Sequence, residues 1–209
     1  MAKNDKQKLL NKILRCAELY ETNLNKKNFI YIIRGRDNKP FHIEVAYYDT
    51  NFCHLMGVET QLEAYQFYMA CLSGKLSERD FILRRDGASI QKSVVSMELM
   101  SIHKRAKMYG ESGLLFTDKL LGNHRGCIGY VKDEEAGFFF PNTLLETDIK
   151  ISANDWFPVL AVYQKYLDEP LYSIICYKSN IHKDIDYDKL SWPEEIHSKI
   201  DIKKLVSDI

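Results

Sequence analysis

The stretch NFIYIIRGRDNKPFHIEVAYY (residues 28–48) decides the fold class. Two runs rich in β-branched and aromatic residues flank GRDNK, and such runs read as strands. Gly35, Asp37 and Asn38 are residue types that tolerate tight-turn geometry. The two strands, expected at 29–34 and 41–47, therefore form a hairpin. Side chains alternate across a strand, so Phe41, Ile43 and Val45 share one face and His42, Glu44 and Ala46 the other.

Upstream, Leu10, Ile13, Leu14 and Ala17 follow the i, i+3, i+4, i+7 spacing of a helix, with lysines on the opposite side. Downstream lies NFCHLMGVETQLEAYQFY (51–68), in which Gly57 can take a positive φ and redirect the chain. TQLE (60–63) fits the T-x-x-E capping box. The helix behind it is expected to bury Leu62, Tyr65, Met69 and Leu72. His54 then stands a few residues ahead of a helix N-terminus, where free amides favour an anion. LSERDFILRRDG (76–87) reads as a short capped element, and ASIQKSVVSMELMSIHKRAKMYG (88–110) as one longer helix ending near Gly110. Strand signals dominate from there: GCIGYV, GFFFP, VLAVYQKY and LYSIICYK, the last two joined through LDEP as a second hairpin. Strands are expected at 127–131, 159–165 and 172–177. The tail from about Ile181 is expected to wrap the domain as short helical pieces. The pattern is α+β, a single domain of helices packed on a mainly antiparallel sheet. Its parts are an N-terminal helix (1–24), a central domain (25–180) and a C-terminal tail (181–209).

A chain of 209 residues can bury a proper core as one domain, and 45% hydrophobic with 28% charged residues is ordinary for a globular protein. No apolar run approaches the roughly 18 residues that a membrane span needs. The N-terminus MAKNDKQKLLNKILRC lacks the apolar core and cleavage site of a signal peptide. The expected compartment is the cytoplasm, with no membrane partner. Cys16, Cys53, Cys71, Cys127 and Cys176 are scattered, without a C-x-x-C pair or zinc spacing, so no disulfide, structural metal or cofactor is expected. Charge is balanced overall but not along the chain: residues 1–107 carry 18 Lys/Arg against 12 Asp/Glu, and residues 108–209 carry 11 against 17. A neutral total argues against nonspecific coating of nucleic acid, while a basic half can still present a local phosphate-binding face. The other reading is that the two halves attract each other within the fold.

No phosphate loop, dinucleotide fingerprint, H-E-x-x-H or G-x-S-x-G is present. His54 is the leading candidate for chemistry, because an imidazole can take a proton in one step and return one in another near neutral pH. The competing reading packs it at a strand end among Phe52, Cys53, Leu55 and Met56. His42 and Glu44 share a strand face, as an oriented pair or as solvated neighbours. His103, His124, His182 and His197 lack such a setting. Lys75, Arg79, Arg84 and Arg85 follow the helix behind His54. Cleaving a phosphodiester needs charge stabilisation at phosphorus as well as a base, and such side chains supply it. Against that, Asp80 and Asp86 offer them partners on a solvated surface.

FCHLMGVE, with the helix AYQFYMACLSGKLSERD behind it, resembles the F-x-H-L-T-G signature of a phage-associated Barnase–EndoU–colicin–RelE-like nuclease family, the fourth of that series. LLGNHRGCIGYV and FFFPNTLLETDI are similar to two further stretches of the family, and the resemblance spans roughly residues 25–177. It implies the compact α+β fold of small bacterial ribonucleases and toxins. The signature histidine maps onto His54 and its glycine onto Gly57. Asn123 matches a loop asparagine, Pro141 and Asn142 a proline–asparagine turn, and Met56 stands where the family has threonine.

By that resemblance the chain is expected to be a metal-independent endoribonuclease of phage or mobile-element origin, a toxin or effector, in which the ribose 2′-OH attacks the adjacent phosphorus. His54 would act as general base or acid. A Lys or Arg from 75–92, Lys75 first, would hold the phosphoryl oxygens, with Arg79, Arg84, Arg85, Asn123 and Asn142 against RNA and Gly57 and Pro141 shaping the site. Tyr or Trp rings would stack an unpaired base. Two rival readings remain. One is a non-catalytic module binding a host protein or small ligand on the same fold. The other is a nucleotide-dependent transferase, since a strand–histidine–helix layout also holds a pyrophosphate.

Overall fold

The computed structural model describes residues 3–113, 116–181 and 192–207. Helix α1 (Lys3–Asn23) leads into the hairpin of β1 (Lys27–Arg34) and β2 (Pro40–Tyr47). A mostly helical region follows, made of α2 (Asn51–Met56), β3 (Val58–Thr60), α3 (Ala64–Leu72), β4 (Phe81–Leu83), α4 (Ala88–Leu99) and α5 (Ile102–Arg105). Next come β5 (Met108–Ser112), β6 (Lys119–Gly122), β7 (Cys127–Lys132), β8 (Phe139–Leu145), α6 (Ile149–Ser152), β9 (Ala153–Tyr166) and β10 (Ile174–Lys178). The described part of the tail holds α7 (Glu194–His197) and β11 (Val206–Ser207).

The first hairpin forms in full register, from Lys27↔Tyr47 to Arg34↔Pro40. Its turn uses left-handed residues of the expected types, Asp37 and Asn38, at φ 59° and 58°. β1 also pairs along its other edge with β9, and this second pairing changes the architecture. The order β1-β2-β8-β7-β6-β5-β9, with β9 returning to β1, closes seven strands into a barrel. The sheet is mainly antiparallel, as expected, with the closure into a barrel an addition to that expectation, and β2–β8 and β10–β11 run parallel. Strand β9 permits the closure through its length: residues 153–158 pair with β5, and residues 159–166 with β1.

Both faces of β1 are buried, which is why its sequence is a continuous apolar run. Phe29, Tyr31 and Ile33 join the main core with the helices, while Ile30 and Ile32 join a second core with Trp192, Ile196 and Ile200 of the tail. On β2 the expected alternation holds: Ile43, Val45 and Tyr47 face the main core. Across the strand, Glu44 accepts hydrogen bonds from Tyr172 Oη (2.7 Å) and Lys199 Nζ (2.6 Å), so it anchors the tail.

Several local expectations need correction. The helix expected over 88–110 stops at Leu99, resumes briefly as α5, and gives way to β5, because Tyr109 is paired with both Leu121 and Phe157. Residues 81–83 are a strand paired with β3. The capping box lies three residues on, with Glu63 as N-cap: Gln66 Oε1 accepts the Glu63 N–H at 3.2 Å. Thr60 instead ties β3 to the turn that leads into β4, its Oγ1 donating to Asp80 O at 2.6 Å. α3 buries Phe67, Tyr68 and Cys71, while Tyr65 and Met69 are exposed. Contacts of Phe52 with Phe67 and Tyr68, and of Tyr20 with Tyr68, set that phase.

The barrel has one thin seam. β2 meets β8 through the single pair Val45↔Phe139, then ends at Tyr47, while β8 runs on to Leu145. α2 packs against β8, and its Cys53 and His54 share a cleft with Asn142, Thr143 and Leu145 beyond that pair. Inside the main core, Tyr47 Oη and Tyr130 Oη share a hydrogen bond of 2.6 Å, joining β2 to β7 over the intervening β8. Tyr130→Phe keeps the ring and removes one hydroxyl, leaving its buried partner short of a bond. Denaturant unfolding should show a loss of about 1–3 kcal/mol. The further change Tyr47→Phe should then cost less than it does alone; strict additivity would show that the two hydroxyls act independently.

Candidate functional site

α2 answers the question of His54. Phe52, Leu55 and Met56 turn inward at helical spacing, and His54 is left exposed on the outer side. The helix ends at Gly57, whose φ of 62° is left-handed and whose N–H reaches His54 O at 3.2 Å. Against this turn lies Lys92 of α4. Its Nζ donates to His54 O at 3.1 Å, and its stem passes so close that a Cβ at position 57 would sit 2.5 Å from Lys92 Cδ. The glycine is thus required twice, by backbone angle and by space. Ser89 fastens the same turn: its Oγ donates to Gly57 O at 2.6 Å and accepts the Arg84 N–H at 3.0 Å.

These elements form one wall of a half-open cleft of about 900 Å³, a size usual for ligand sites. Lys92, Arg84 and Glu59 supply its charges, His54 an imidazole, and Val58, Leu62, Ala64 and Leu145 its apolar lining. The facing wall comes from β8, through Asn142 and Thr143, and from the β5–β6 connection, through Phe116 and Thr117. Asn142 Nδ2 donates to Phe116 O at 2.7 Å, which fixes the backbone beneath a ring that is 78% exposed. The cleft opens where β8 outruns β2, so the thin seam and the site share one cause.

Burial, and then the nearby Arg84 charge, pulls the Lys92 ammonium below the ordinary lysine range, with Asp86 working the other way. Arg84 is itself held by Asp86, Nη2 to Oδ2 at 2.9 Å. Burial pushes the Cys53 thiol up, so it lines the cleft as an unreactive group.

Of the residues singled out from the sequence, the cleft gathers His54, Gly57, Arg84 and Asn142. Lys75 lies past the far end of α3, which separates it from Ala64 in the cleft by about 12 Å of helix. Arg79 and Arg85 line two smaller hollows beside the β3–β4 strand pair, each shared with Glu59. Asn123 is engaged in its own turn: Oδ1 accepts the Arg125 N–H at 2.8 Å, and Nδ2 donates to Glu98 at 3.0 Å. Pro141 and Asn142 lie within β8 and not in a turn; Pro141 falls where the ladder with β7 slips register. Met56 is buried in the main core and does not line the cleft. Nor does His54 precede a helix N-terminus, since β3 intervenes before α3.

His42 and Glu44 sit 3.9 Å apart beneath the tail. Burial tends to raise the Glu44 carboxyl, but the bonds from Lys199 and Tyr172 outweigh it and hold it below the ordinary range. His103 is buried, His124 meets Asp148 at 3.0 Å, His197 is on α7, and His182 lies outside the described residues. Among the described residues, no three His, Cys, Asp or Glu side chains are grouped as one ion would need, and no helix is long and apolar enough to cross a membrane.

Phe116, Thr117 and Thr143 were missed by sequence reasoning, and Lys92, though inside the 75–92 range expected to hold the phosphoryl oxygens, was not singled out. A signal for Lys92 existed: Ser89, Val95, Ser96 and Leu99 are the buried stripe of α4, and Lys92 falls within it. A lysine at such a position has a reason to be there. The threonines and Phe116 carried no such mark.

An outward imidazole and two cations thus share one half-apolar cleft beside the closed barrel. A family model described as phage-Barnase-EndoU-ColicinE5/D-RelE like nuclease4 matches residues 12–180, and the chain belongs to that family of phage nuclease-like domains. No curated protein and no solved structure matches it.

The two demands on Gly57 can be separated. Gly57→Ala should cost about 1–2 kcal/mol from the left-handed backbone, plus a steric part from the Lys92 stem. In a Lys92→Ala background the steric part should vanish, giving a clear coupling in a double-mutant cycle followed by thermal unfolding. Equal costs in both backgrounds would mean that the lysine stem simply moves aside.

Proposed function

We propose that this protein is an endoribonuclease that cleaves by attack of the ribose 2′-OH on the adjacent phosphorus. The observation that carries the reading is the exposed His54 imidazole in the same cleft as Lys92 and Arg84. Membership of the nuclease family supports it, as does the burial of Met56, which leaves the altered signature position away from the cleft lining.

In the reaction the 2′-oxygen loses its proton as it bonds to phosphorus, and the 5′-oxygen leaves and takes a proton. A 2′,3′-cyclic phosphate and a 5′-hydroxyl result. His54 transfers one of these protons, and Glu59, the carboxylate of the cleft lining, can carry the other. Lys92 and Arg84 hold the phosphoryl oxygens as charge develops. Phe116, where Tyr or Trp was expected, offers its exposed face to an unpaired base. The apolar lining favours one rival, a ligand-binding module without chemistry. RNA left intact after long incubation with the wild-type protein would select that rival.

His54→Gln should lower RNA cleavage by roughly 10²–10⁴-fold with little change in melting temperature, since the side chain is exposed. Cleavage should persist in EDTA and leave cyclic phosphate ends; loss in EDTA with recovery on adding magnesium would overturn the mechanism.

Lys92 adds a pH signature. Its protonated form binds phosphate, so kcat/KM should fall as pH rises through its lowered pKa, earlier than for an ordinary lysine. Lys92→Met keeps the stem over Gly57, removes that alkaline limb and lowers kcat by about 10²–10³-fold. Because burial disfavours the ammonium, its cost to stability is present below the lowered pKa and lifts above it. Lys92→Met should therefore not lower the melting temperature at neutral pH. A Lys92→Met enzyme with the wild-type profile would remove Lys92 from the site.

A further inference from the structure

Beyond the cleft, α4 leads to a second concentration of charge. Lys104, Arg105, Lys107, His124 and Arg125 surround a hollow of about 270 Å³ whose lining holds one carboxylate, Glu98. Four permanent cations therefore face one acid. Glu98 is already engaged, with Asn123 Nδ2 at 3.0 Å and Arg125 Nη1 at 3.7 Å. Arg105 and Lys107 are exposed.

The backbone beneath these side chains is rigid. The Lys107 N–H bonds Gly122 O at 2.9 Å, and its carbonyl accepts the Val159 N–H at 2.9 Å. The Arg125 N–H is held by Asn123 Oδ1. Cations on a fixed frame lose less entropy on binding than cations on loose loops.

The patch also adjoins the cleft. Lys92 and Glu98 lie on one helix, six residues or about 9 Å apart. Between them Val95 rests on Gly126, where an added Cβ would be 3.0 Å from both Val95 Cγ1 and Leu145 O. Leu145 itself lines the cleft. A hollow this small and open suits no bulky ligand, whereas separate cations leading away from a phosphate-ester cleft suit a chain of phosphates.

We infer that the Lys104–Arg105–Lys107–Arg125 patch is a docking track for the phosphodiester backbone of a single strand whose neighbouring segment occupies the cleft. The inference rests on the nuclease reading of that cleft. It adds a substrate that extends beyond the scissile phosphate, held there by charge and without base readout.

The test uses the full chain and a labelled 12-nucleotide single-stranded DNA, which lacks the attacking 2′-hydroxyl and stays intact. In fluorescence anisotropy, Arg105→Glu/Lys107→Glu should weaken binding at least tenfold at 0.1 M salt. The slope of log K against log salt should become shallower by about 1.4, at roughly 0.7 per lost phosphate contact. With RNA, the same variant should raise KM for a 12-mer and leave dinucleotide cleavage unchanged. A control pair, Lys203→Glu/Lys204→Glu on the tail, alters net charge equally and should do neither. Wild-type affinity and slope in the patch variant, equal losses in the control pair, or a wild-type protein that binds no 12-mer would each overturn the proposal. Patch-dependent binding without any RNA cleavage would uphold the track and end the nuclease reading.

Discussion

The hydrogen bond between Tyr47 and Tyr130 closes the barrel where the backbone scarcely does. A single ladder pair joins β2 to β8, against six to eight along most of the neighbouring ladders of β1, β2 and β7. The hydroxyl bridge sits in the main core and ties β2 to the strand beyond β8. In such surroundings a satisfied polar pair is strong, and a broken one costs the full desolvation of the partner left behind. The seam can therefore stay thin without coming apart.

The cleft depends on that thinness. Had β2 continued alongside β8, a strand would occupy the place that α2 now holds. His54 would then have alternated into a sheet face instead of standing on the outer side of a short helix. The left-handed turn at Gly57 brings the chain back over Lys92, and Ser89 locks turn, helix and Arg84 together through two short bonds. The arrangement keeps an ammonium partly desolvated next to a guanidinium, which by itself is unfavourable. On the proposed reading, the charge of an incoming phosphate would offset both the desolvation cost and the repulsion.

Much of this frame was legible in the sequence, and the rest was hidden for identifiable reasons. The first hairpin was readable because its turn chemistry and its two faces agree at every level. The helical face of α3 was misread by about one position, since Tyr65 and Met69 are as apolar as Phe67 and Tyr68; only the aromatic cluster around Phe52 decides between them. Residues 108–110 resembled the end of a helix because local pattern cannot register that Tyr109 is claimed by strands on both sides. Barrel closure depends on β1 pairing with a strand more than a hundred residues away, which no window of sequence contains. At the site, His54 and Gly57 stood out through residue type. Lys92 looked like any helical lysine until its place in the buried stripe was known, and Lys75 looked suitable until α3 carried it away.

The uneven charge of the two halves fits the same picture. If the halves mainly attracted each other, ion pairs between them would join bases of the first to acids of the second. Arg36–Asp155 does so, but Lys199–Glu44 and Arg125–Glu98 run the other way. Residues 84–107 hold six Lys/Arg against two Asp/Glu; of these, Arg84 and Lys92 line the cleft, and Lys104, Arg105 and Lys107 line the second hollow. With a Debye length of about 10 Å at 0.1 M salt, charges farther off are largely screened, and a phosphate chain experiences mainly the field of its own groove. Zero net charge is therefore compatible with a polyanionic substrate, provided that the substrate is gripped locally, along the cations that run from the cleft to the second hollow.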